Sequence, residues 1–286
     1  MLPEISLPKF STTIKELKKT FHFRPFMMKE ERAILMAKAI GTDIEVRQTI
    51  EQVVDACLIT NEKINVEELP AHIVDYLFMQ MYTRSNTNIL TVNFTCNANY
   101  TKYEFTKKVD EETGEEYEEE NKITQQCNHE SLNPMDLGAI KIFYPENFEE
   151  RKVIKIDDSI TLYLKAPMSK SIRNVYLMSE VNEDGEYSHT EKEREEAYEN
   201  LVFESIDRII KIEGDSEVIY TNADFTVESF GVWVDNAPKH VAEGMAEFFA
   251  EMPSIFLHTK MQCLRPECQY STTYAITGAK SFLDLC

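Results

Sequence analysis

Four cysteines have the residue type and the spacing of a zinc site. Cys263 and Cys268 are separated by four residues, a spacing that zinc-binding loops use, and strand-like segments flank the pair. Cys96 and Cys127 lie on the two arms of a predicted hairpin, where they come close to facing each other. Because four cysteine thiolates complete a tetrahedral zinc site, the sequence predicts one structural zinc ion, with His129 as a substitute ligand. Unbonded thiols are the alternative.

The same side chains offer little for catalysis. Cys127 and His129 are two positions apart, so a strand would point both to one face, but no third group is placed to orient the histidine. The sequence has no glycine-rich phosphate-binding loop, no Gly-x-Ser-x-Gly turn and no second histidine at helical spacing from His129. We therefore predict that the protein is not an enzyme and takes no small-molecule substrate.

The charge balance excludes several classes of partner. The 286-residue chain carries 30 Lys and Arg against 50 Asp and Glu, a formal net charge of −20. This excess of acid repels phosphate backbones and anionic membrane surfaces. No apolar run approaches the roughly 18 residues of a membrane span, and the first residues do not resemble a secretory signal. We expect a cytoplasmic protein with reduced cysteines that binds neither nucleic acid nor membrane.

Hydrophobic periodicity predicts the elements that position the cysteines. Alternating residues predict strands over 88–96, 100–109, 139–144, 153–164, 255–261 and 271–276, with a return strand that ends at Cys127 after a turn at Gly114. Helical spacing predicts helices over 28–40, 43–58, 71–84, 171–178, 190–211 and 238–252, with a short helix within 221–233.

These elements predict an α+β fold and four consecutive segments. Residues 1–87 are an extended aromatic arm and a three-helix subdomain, and residues 88–168 are a β-rich region of antiparallel hairpins, one of them acidic. Residues 169–253 are helical. Residues 254–286 form a zinc-ribbon-like cysteine knuckle that packs back on the central sheet.

The aromatic arm is the second candidate site. Phe23, Arg24 and Phe26 surround Pro25, and a residue that precedes proline is held extended. We expect the Arg24 guanidinium to pair with Asp75, or with a nearby acid, and so to lock the arm onto the helices. Contact with a partner protein is the alternative function of these residues.

Three blocks of the sequence resemble a known family. They are Phe23-Arg-Pro-Phe-Met-Met-Lys-Glu-Glu31, Ile73-Val-Asp-Tyr-Leu-Phe-Met-Gln-Met-Tyr-Thr-Arg-Ser85 with the strand that follows to Cys96, and the C-terminal cysteine pair running to Gly278-Ala-Lys-Ser-Phe282. Together they cover residues 20–96 and 255–286. In these blocks the chain resembles the T-even-type bacteriophage baseplate protein family, which includes baseplate hub assembly proteins and a hub-assembly chaperone.

The resemblance implies a late role in virion assembly. The protein would bind other baseplate hub or tail proteins without performing chemistry, in the cytoplasm of the host cell, with the virion tail as a further location. The alternative is a zinc-ribbon adaptor or regulatory protein of a phage or host-takeover system. That alternative would need a basic surface, which a net charge of −20 disfavours.

Overall fold

The fold is α+β, as the sequence predicts. A computed structural model describes residues 6–60, 64–109, 115–181, 185 and 187–285. In chain order the helices are α1 Met28–Ile40, α2 Asp43–Cys57, α3 Ala71–Ser85, α4 Phe148–Arg151, α5 Ser169–Met178, α6 Glu191–Glu204, α7 Val227–Asp235, α8 Lys239–Ala250 and α9 Ala279–Leu285. The strands are β1 Phe10–Ile14, β2 Lys19–Phe23, β3 Ile89–Thr95, β4 Asn99–Val109, β5 Glu116–Gln126, β6 Glu130–Asp136, β7 Lys141–Phe143, β8 Val153–Lys155, β9 Ile160–Leu164, β10 Ile206–Glu213, β11 Ser216–Tyr220, β12 Ser254–Gln262 and β13 Ser271–Thr277.

The residues group by their contacts into two units. The larger unit comprises Met1–Asn86, Ile140–Phe256 and Thr277–Asp284, and the smaller comprises Thr87–Ala139, Leu257–Ile276 and Leu285–Cys286. Each unit is therefore built from segments that are far apart in the sequence. The division into four consecutive segments stays a prediction.

In the larger unit, the N-terminal arm is a β-hairpin. β1 and β2 pair antiparallel along their whole length. The end of β2 bonds to the segment where α2 ends. The Ile59 N–H donates to the His22 carbonyl at 2.8 Å, and the Arg24 N–H donates to the Cys57 carbonyl at 3.0 Å. Phe21 is 2% exposed. The arm is therefore an integral part of this unit's core.

Helix α2 illustrates how local sequence sets the helix bounds. The Thr42 hydroxyl accepts a hydrogen bond from the Glu45 N–H, and the Glu45 carboxylate accepts one from the Thr42 N–H at 2.8 Å. This reciprocal cap satisfies donors that the first turn leaves free. The apolar residues that follow recur at helical spacing and are buried: Ile44, Val46, Ile50, Val53, Val54 and Cys57.

A four-stranded antiparallel sheet, in the order β11-β10-β9-β8, forms a second part of the larger unit. The prediction of one helix over residues 190–211 is wrong, because α6 ends at Glu204 and β10 begins at Ile206. Ile206 and Ile209 are buried in the cluster that this sheet forms with α7 and α8. Isoleucines are β-branched and favour strands, and β10 obtains its partners from β9 and β11.

Residues 153–164 form two strands where the sequence predicts one. β8 and β9 pair antiparallel around a turn that Asp157 stabilises. One oxygen of its carboxylate accepts hydrogen bonds from the Ser159 N–H at 2.7 Å and the Ile160 N–H at 2.8 Å. Aspartate commonly closes turns in this way, so the break follows from local turn chemistry.

In the smaller unit, β3 pairs with β6 and β4 pairs with β5, all antiparallel. The predicted turn at Gly114 lies outside the described residues. Strand β6 is an addition to the predicted elements, and it contains Pro134. Proline removes a backbone donor and is confined to sheet edges, which fits a strand in a two-stranded pairing. The part of β12 in this unit neighbours β13.

Candidate metal centre

Cys96 and Cys127 lie where the β3–β6 pair gives way to the β4–β5 pair. β3 ends one residue before Cys96, and β5 ends one residue before Cys127. The Cys127 N–H donates to the Ala98 carbonyl at 2.9 Å, and the Cys96 N–H donates to the His129 carbonyl at 3.0 Å. Asn128 takes a positive φ of 49° and so turns the chain around Cys127. The pairing of two sequence-distant strands therefore holds these two cysteines side by side.

Cys263 and Cys268 lie on the connection between β12 and β13. The Cys263 N–H donates to the Tyr270 carbonyl at 2.7 Å, which closes the loop at its base. The Cys268 N–H donates to the Arg265 carbonyl at 3.1 Å. These bonds fold the segment into a tight turn with both cysteines on its inner side.

The four sulfur atoms form one cluster. All four Sγ atoms lie within 4.8 Å of one another. The Cys96 and Cys268 sulfurs are 3.7 Å apart, as are the Cys127 and Cys263 sulfurs. A disulfide would place two sulfurs at about 2.05 Å, so these are free cysteines. Three of them are buried and Cys268 is partly buried.

The backbone directs an N–H group at each sulfur. The donor is in each case the residue two positions after the cysteine: Ala98 for Cys96, His129 for Cys127, Arg265 for Cys263 and Tyr270 for Cys268. A donated hydrogen bond favours the thiolate over the thiol. The loops are thus arranged around negatively charged sulfur.

Burial and these donors act in opposite directions on the thiols. Burial raises the pKa of Cys96, Cys263 and Cys268 above the ordinary value for cysteine, because it disfavours the thiolate. Burial has the same effect at Cys127, but the His129 N–H and the neighbouring thiols outweigh it and hold the pKa of Cys127 below its ordinary value. The donated hydrogen bonds therefore offset part of the cost that burial imposes on thiolates in this cluster.

Apolar and aromatic side chains surround the cluster. Phe94, Tyr100 and Met261 are buried against the cysteines. The Arg265 guanidinium lies 4.8 Å from the centroid of the Tyr100 ring and donates to the Cys127 carbonyl at 3.1 Å. These contacts fix the position of the turn that carries Cys263. The predicted substitute ligand, His129, contributes backbone groups to the cluster.

The second predicted site lies in the larger unit, where Arg24 links the ends of two helices. Its guanidinium donates to Glu30 Oε1 and to the Ala56 carbonyl, both at 2.9 Å. The Glu30 carboxylate also accepts the Met27 N–H at 2.7 Å, at the start of α1. A cation at the end of α2 and an anion at the start of α1 suit both helix dipoles. Burial opposes ionisation of Glu30, but hydrogen bonds from Arg24 and Met27 hold its pKa below the usual range.

The contacts of the arm distinguish between the alternatives given for it, Asp75 or a nearby acid as the partner of Arg24 and arm-locking or partner contact as its role. The acid that pairs with Arg24 is Glu30, whereas Asp75 hydrogen-bonds Arg47. Phe23 is 1% exposed and Phe26 is 8% exposed, so both pack inside the larger unit and present almost no surface to a partner. The contacts of these residues are those of an arm held onto its own fold.

Sequence patterns miss a buried ionic network in the larger unit. Arg47 bonds Asp75, the Ser169 hydroxyl at 2.8 Å and the Ala71 carbonyl at 3.1 Å. Glu51, on the same helix as Arg47, accepts from the Ser169 hydroxyl and from Arg173. The spacing of four residues between Arg47 and Glu51 is the one signal in the sequence. Their other partners lie on α3 and α5, and no local sequence pattern predicts these contacts.

Comparison with known proteins identifies a family. A family model described as T4 bacteriophage base plate protein matches residues 7–284. The matched range includes the arm, α3 and all four clustered cysteines. Among curated proteins and among solved structures, none matches this chain. Within the described residues, no helix is both long enough and apolar enough to cross a membrane.

Proposed function

Because the chain belongs to the T4 bacteriophage base plate protein family, we propose that it acts in assembly of the baseplate hub by binding other baseplate or tail proteins. The family assigns the protein a structural role in the phage base plate. The proposal adds the hub as the place of action and the host cytoplasm as the place of assembly. The observation that carries it is the extent of the match, residues 7–284, which leaves little of the chain for an unrelated function.

We assign no catalytic step to the protein. The most distinctive side chains are the four clustered cysteines, and their sulfurs face one another in a mostly buried group. Catalytic metal sites keep a position open for water or substrate, whereas four cysteine ligands close a tetrahedral site. The arrangement therefore supports a structural role for the cluster.

The β4–β5 hairpin offers a surface for protein binding. From Lys102 to Val109, every side chain of β4 is exposed. Tyr103, Phe105, Lys107 and Val109 lie at alternate positions and share one face. The three apolar side chains of this face, Tyr103, Phe105 and Val109, are 52%, 63% and 59% exposed. A two-stranded hairpin is at best marginally stable alone in water. An aromatic row on such a hairpin therefore gains stability when a partner covers it.

Charge specifies the kind of partner. On that face Tyr103 lies opposite Lys122 and Phe105 lies opposite Glu120, while Lys107 and Val109 lie opposite Glu118 and Glu116. Three exposed acids therefore border the row along β5, and they outnumber the two lysines on this face, Lys107 and Lys122. We commit to a baseplate or tail protein that presents an apolar strip edged by Lys or Arg, because that strip would match both rows.

The test is capture from infected cells, with proteins identified by mass spectrometry. The wild-type chain should capture baseplate hub and tail proteins, and less of them as salt is raised. Phe105→Ser should lower capture at least about tenfold, since a buried aromatic anchor is commonly worth about 2 kcal/mol or more. The double change Glu118→Lys and Glu120→Lys should also lower it. Ile219→Ser is the matched control, because Ile219 is an exposed strand residue, 54% accessible, of the larger unit.

Each other outcome has a defined meaning. Equal capture by the hairpin variants and the wild type would remove the hairpin from the proposal. Capture that lacks hub and tail proteins would overturn the hub assignment. Self-association that Phe105→Ser abolishes would make a second copy of the chain the occupant. The same measurement on finished virions separates a retained subunit, which is present there, from an assembly chaperone, which is absent.

The cysteine cluster also keeps the zinc-ribbon adaptor as a second candidate. Such adaptors use a zinc-bound loop as a rigid platform, and the β12–β13 turn has that form. The net charge of −20 opposes binding to nucleic acid. Binding of purified protein to duplex DNA at moderate salt would favour the adaptor over the hub protein.

A further inference from the structure

We propose that the smaller unit holds one structural Zn²⁺ ion, bound by the Sγ atoms of Cys96, Cys127, Cys263 and Cys268. The proposal rests on the geometry and surroundings of these four side chains. It is independent of the proposed role in hub assembly, and neither requires the other.

The sulfur separations have the size that one zinc ion requires. Zinc–sulfur bonds are about 2.3 Å, so a regular tetrahedron around one ion places its sulfurs about 3.8 Å apart. Two of the observed separations are 3.7 Å, and the others are within 4.8 Å. The two 3.7 Å contacts each join a cysteine of the hairpin region to a cysteine of the β12–β13 turn. They are opposite edges of the tetrahedron.

The surroundings of the cluster are suited to thiolates around a cation. Four buried thiolates without a counter-ion would be strongly unfavourable, because desolvation of each charge costs free energy. A dication neutralises half of that charge. The four N–H groups directed at the sulfurs stabilise the remainder, and the Arg265 guanidinium bonds the Cys127 carbonyl next to the cluster.

The ligand set selects zinc over other common metals. Calcium and magnesium prefer oxygen ligands, whereas thiolates select zinc, copper(I) and iron. A tetrahedral four-sulfur geometry indicates zinc or iron, and zinc(II) binds such sites more tightly than iron(II). Sulfurs this close to one another fit a single ion.

The ion would join parts of the smaller unit that are far apart in sequence. The paired cysteines are separated by 172 residues in one case and 136 in the other. The apolar neighbours of the cluster are few: Phe94, Tyr100 and Met261 are buried, and Val92 and Ala98 are partly buried. Small cores commonly need a metal or a disulfide for stability. The zinc ion therefore stabilises the fold of this unit directly.

The first test is metal analysis of the purified full-length chain. We expect one zinc per chain by elemental analysis. Cobalt(II) added to the metal-free chain should give the thiolate charge-transfer absorption and the intense visible bands of a tetrahedral cobalt–sulfur site. Cys127→Ser and Cys263→Ser should each lose the bound zinc or reduce its affinity at least about tenfold.

Cys57→Ser is the matched control. Cys57 is a fully buried cysteine of the larger unit, and this variant should retain one zinc per chain. Should the ligand variants fail to fold, the wild-type chain supplies a second measurement. Titration of its thiols with a mercurial reagent should release zinc in step with modification of four thiols.

Three results would overturn the proposal. One is a chain purified without metal that, when offered zinc, binds none while the four thiols react freely in the folded state. Another is a preparation that holds iron in place of zinc and prefers iron in competition. The third is full zinc retention in both Cys127→Ser and Cys263→Ser.

Discussion

The two units of this protein both bury apolar side chains, but only the smaller one has a group of four cysteines within a buried cluster of its described residues. The larger unit encloses large apolar residues, among them Phe21, Phe78 and Phe248, each at most 2% exposed. The smaller unit has cysteines at the centre of its cluster, with Phe94 and Tyr100 beside them. Apolar burial scales with the size of a unit, so a small one has less of it to offset chain entropy. Under the zinc proposal, metal binding by the cysteines would add to the stability that apolar burial gives the smaller unit.

The units also differ in how they balance buried charge. In the larger unit, Arg47 and Arg173 supply the positive charge that Glu51 and Asp75 require, and all four belong to the chain. In the smaller unit, four clustered thiolates together would require positive charge. The proposed zinc dication would supply it from outside the protein. The larger unit should therefore be indifferent to metal, and the smaller one should depend on it.

Metal removal should give the largest effect. Excess chelator should abolish amide hydrogen-exchange protection in the paired strands β3 and β6 and in the turn between β12 and β13. The reason is that structural zinc sites contribute on the order of 10 kcal/mol to folding. Protection in α2, α3 and β10 should persist. Equal loss of protection in both units would break the comparison, and so would equal retention.

Loss of the Arg47 side chain should lower the stability of the larger unit. Arg47→Met leaves the Asp75 carboxylate without its cationic partner, while Glu51 keeps Arg173 and the Ser169 hydroxyl. Removal of one member of a buried ion pair costs about 3–5 kcal/mol. The free energy of unfolding from urea titration should fall by about that amount, with zinc content unchanged. Lys192→Met is the matched control, since the Lys192–Glu196 pair is exposed and should contribute less than about 1 kcal/mol. Equal effects of the two variants would contradict a buried network.

Loss of the Arg24 side chain in the arm should lower the free energy of unfolding by a smaller amount. Arg24→Met removes the hydrogen bonds to Glu30 and Ala56, and bonds to charged groups contribute about 1.5–3 kcal/mol. The contribution of the pair is present above the ordinary pKa of glutamate, 4.5, and is lost as the pH falls through the lower pKa of Glu30 in the fold. Urea titration at neutral pH measures the loss. Lys29→Met is the control, because Lys29 is largely exposed and 3.5 Å from Glu30. If Arg24→Met leaves stability intact but abolishes partner capture, the arm is a binding surface after all.

The smallest effect on stability should come from the exposed hairpin. Phe105→Ser removes a side chain that is 63% exposed, so the free energy of unfolding should change by less than about 0.5 kcal/mol. Zinc content should stay at one per chain. A decrease of several kcal/mol in the free energy of unfolding would show that Phe105 packs within the protein. Weaker partner capture by Phe105→Ser would then reflect a loss of folded protein.

Local sequence accounts for much of the fold. The predicted bounds of the first three helices fall within about a residue of the observed ones, because caps and hydrophobic spacing act over neighbouring residues. The error at residues 205–211 has the opposite cause. Ile206, Ile209 and Ile210 suit a helix face and a strand alike, and pairing of β10 with β9 and β11 decided between them.

The sequence by itself determined the α+β class, the family and the four cysteines as the candidate site. Residue types and short spacings carry that information. Only the tertiary structure decided that Glu30 is the partner of Arg24, that Asp75 belongs to Arg47, and that four sulfurs meet within 4.8 Å. Whether residues far apart in the chain meet depends on how the strands and helices between them pack, and no local preference specifies that.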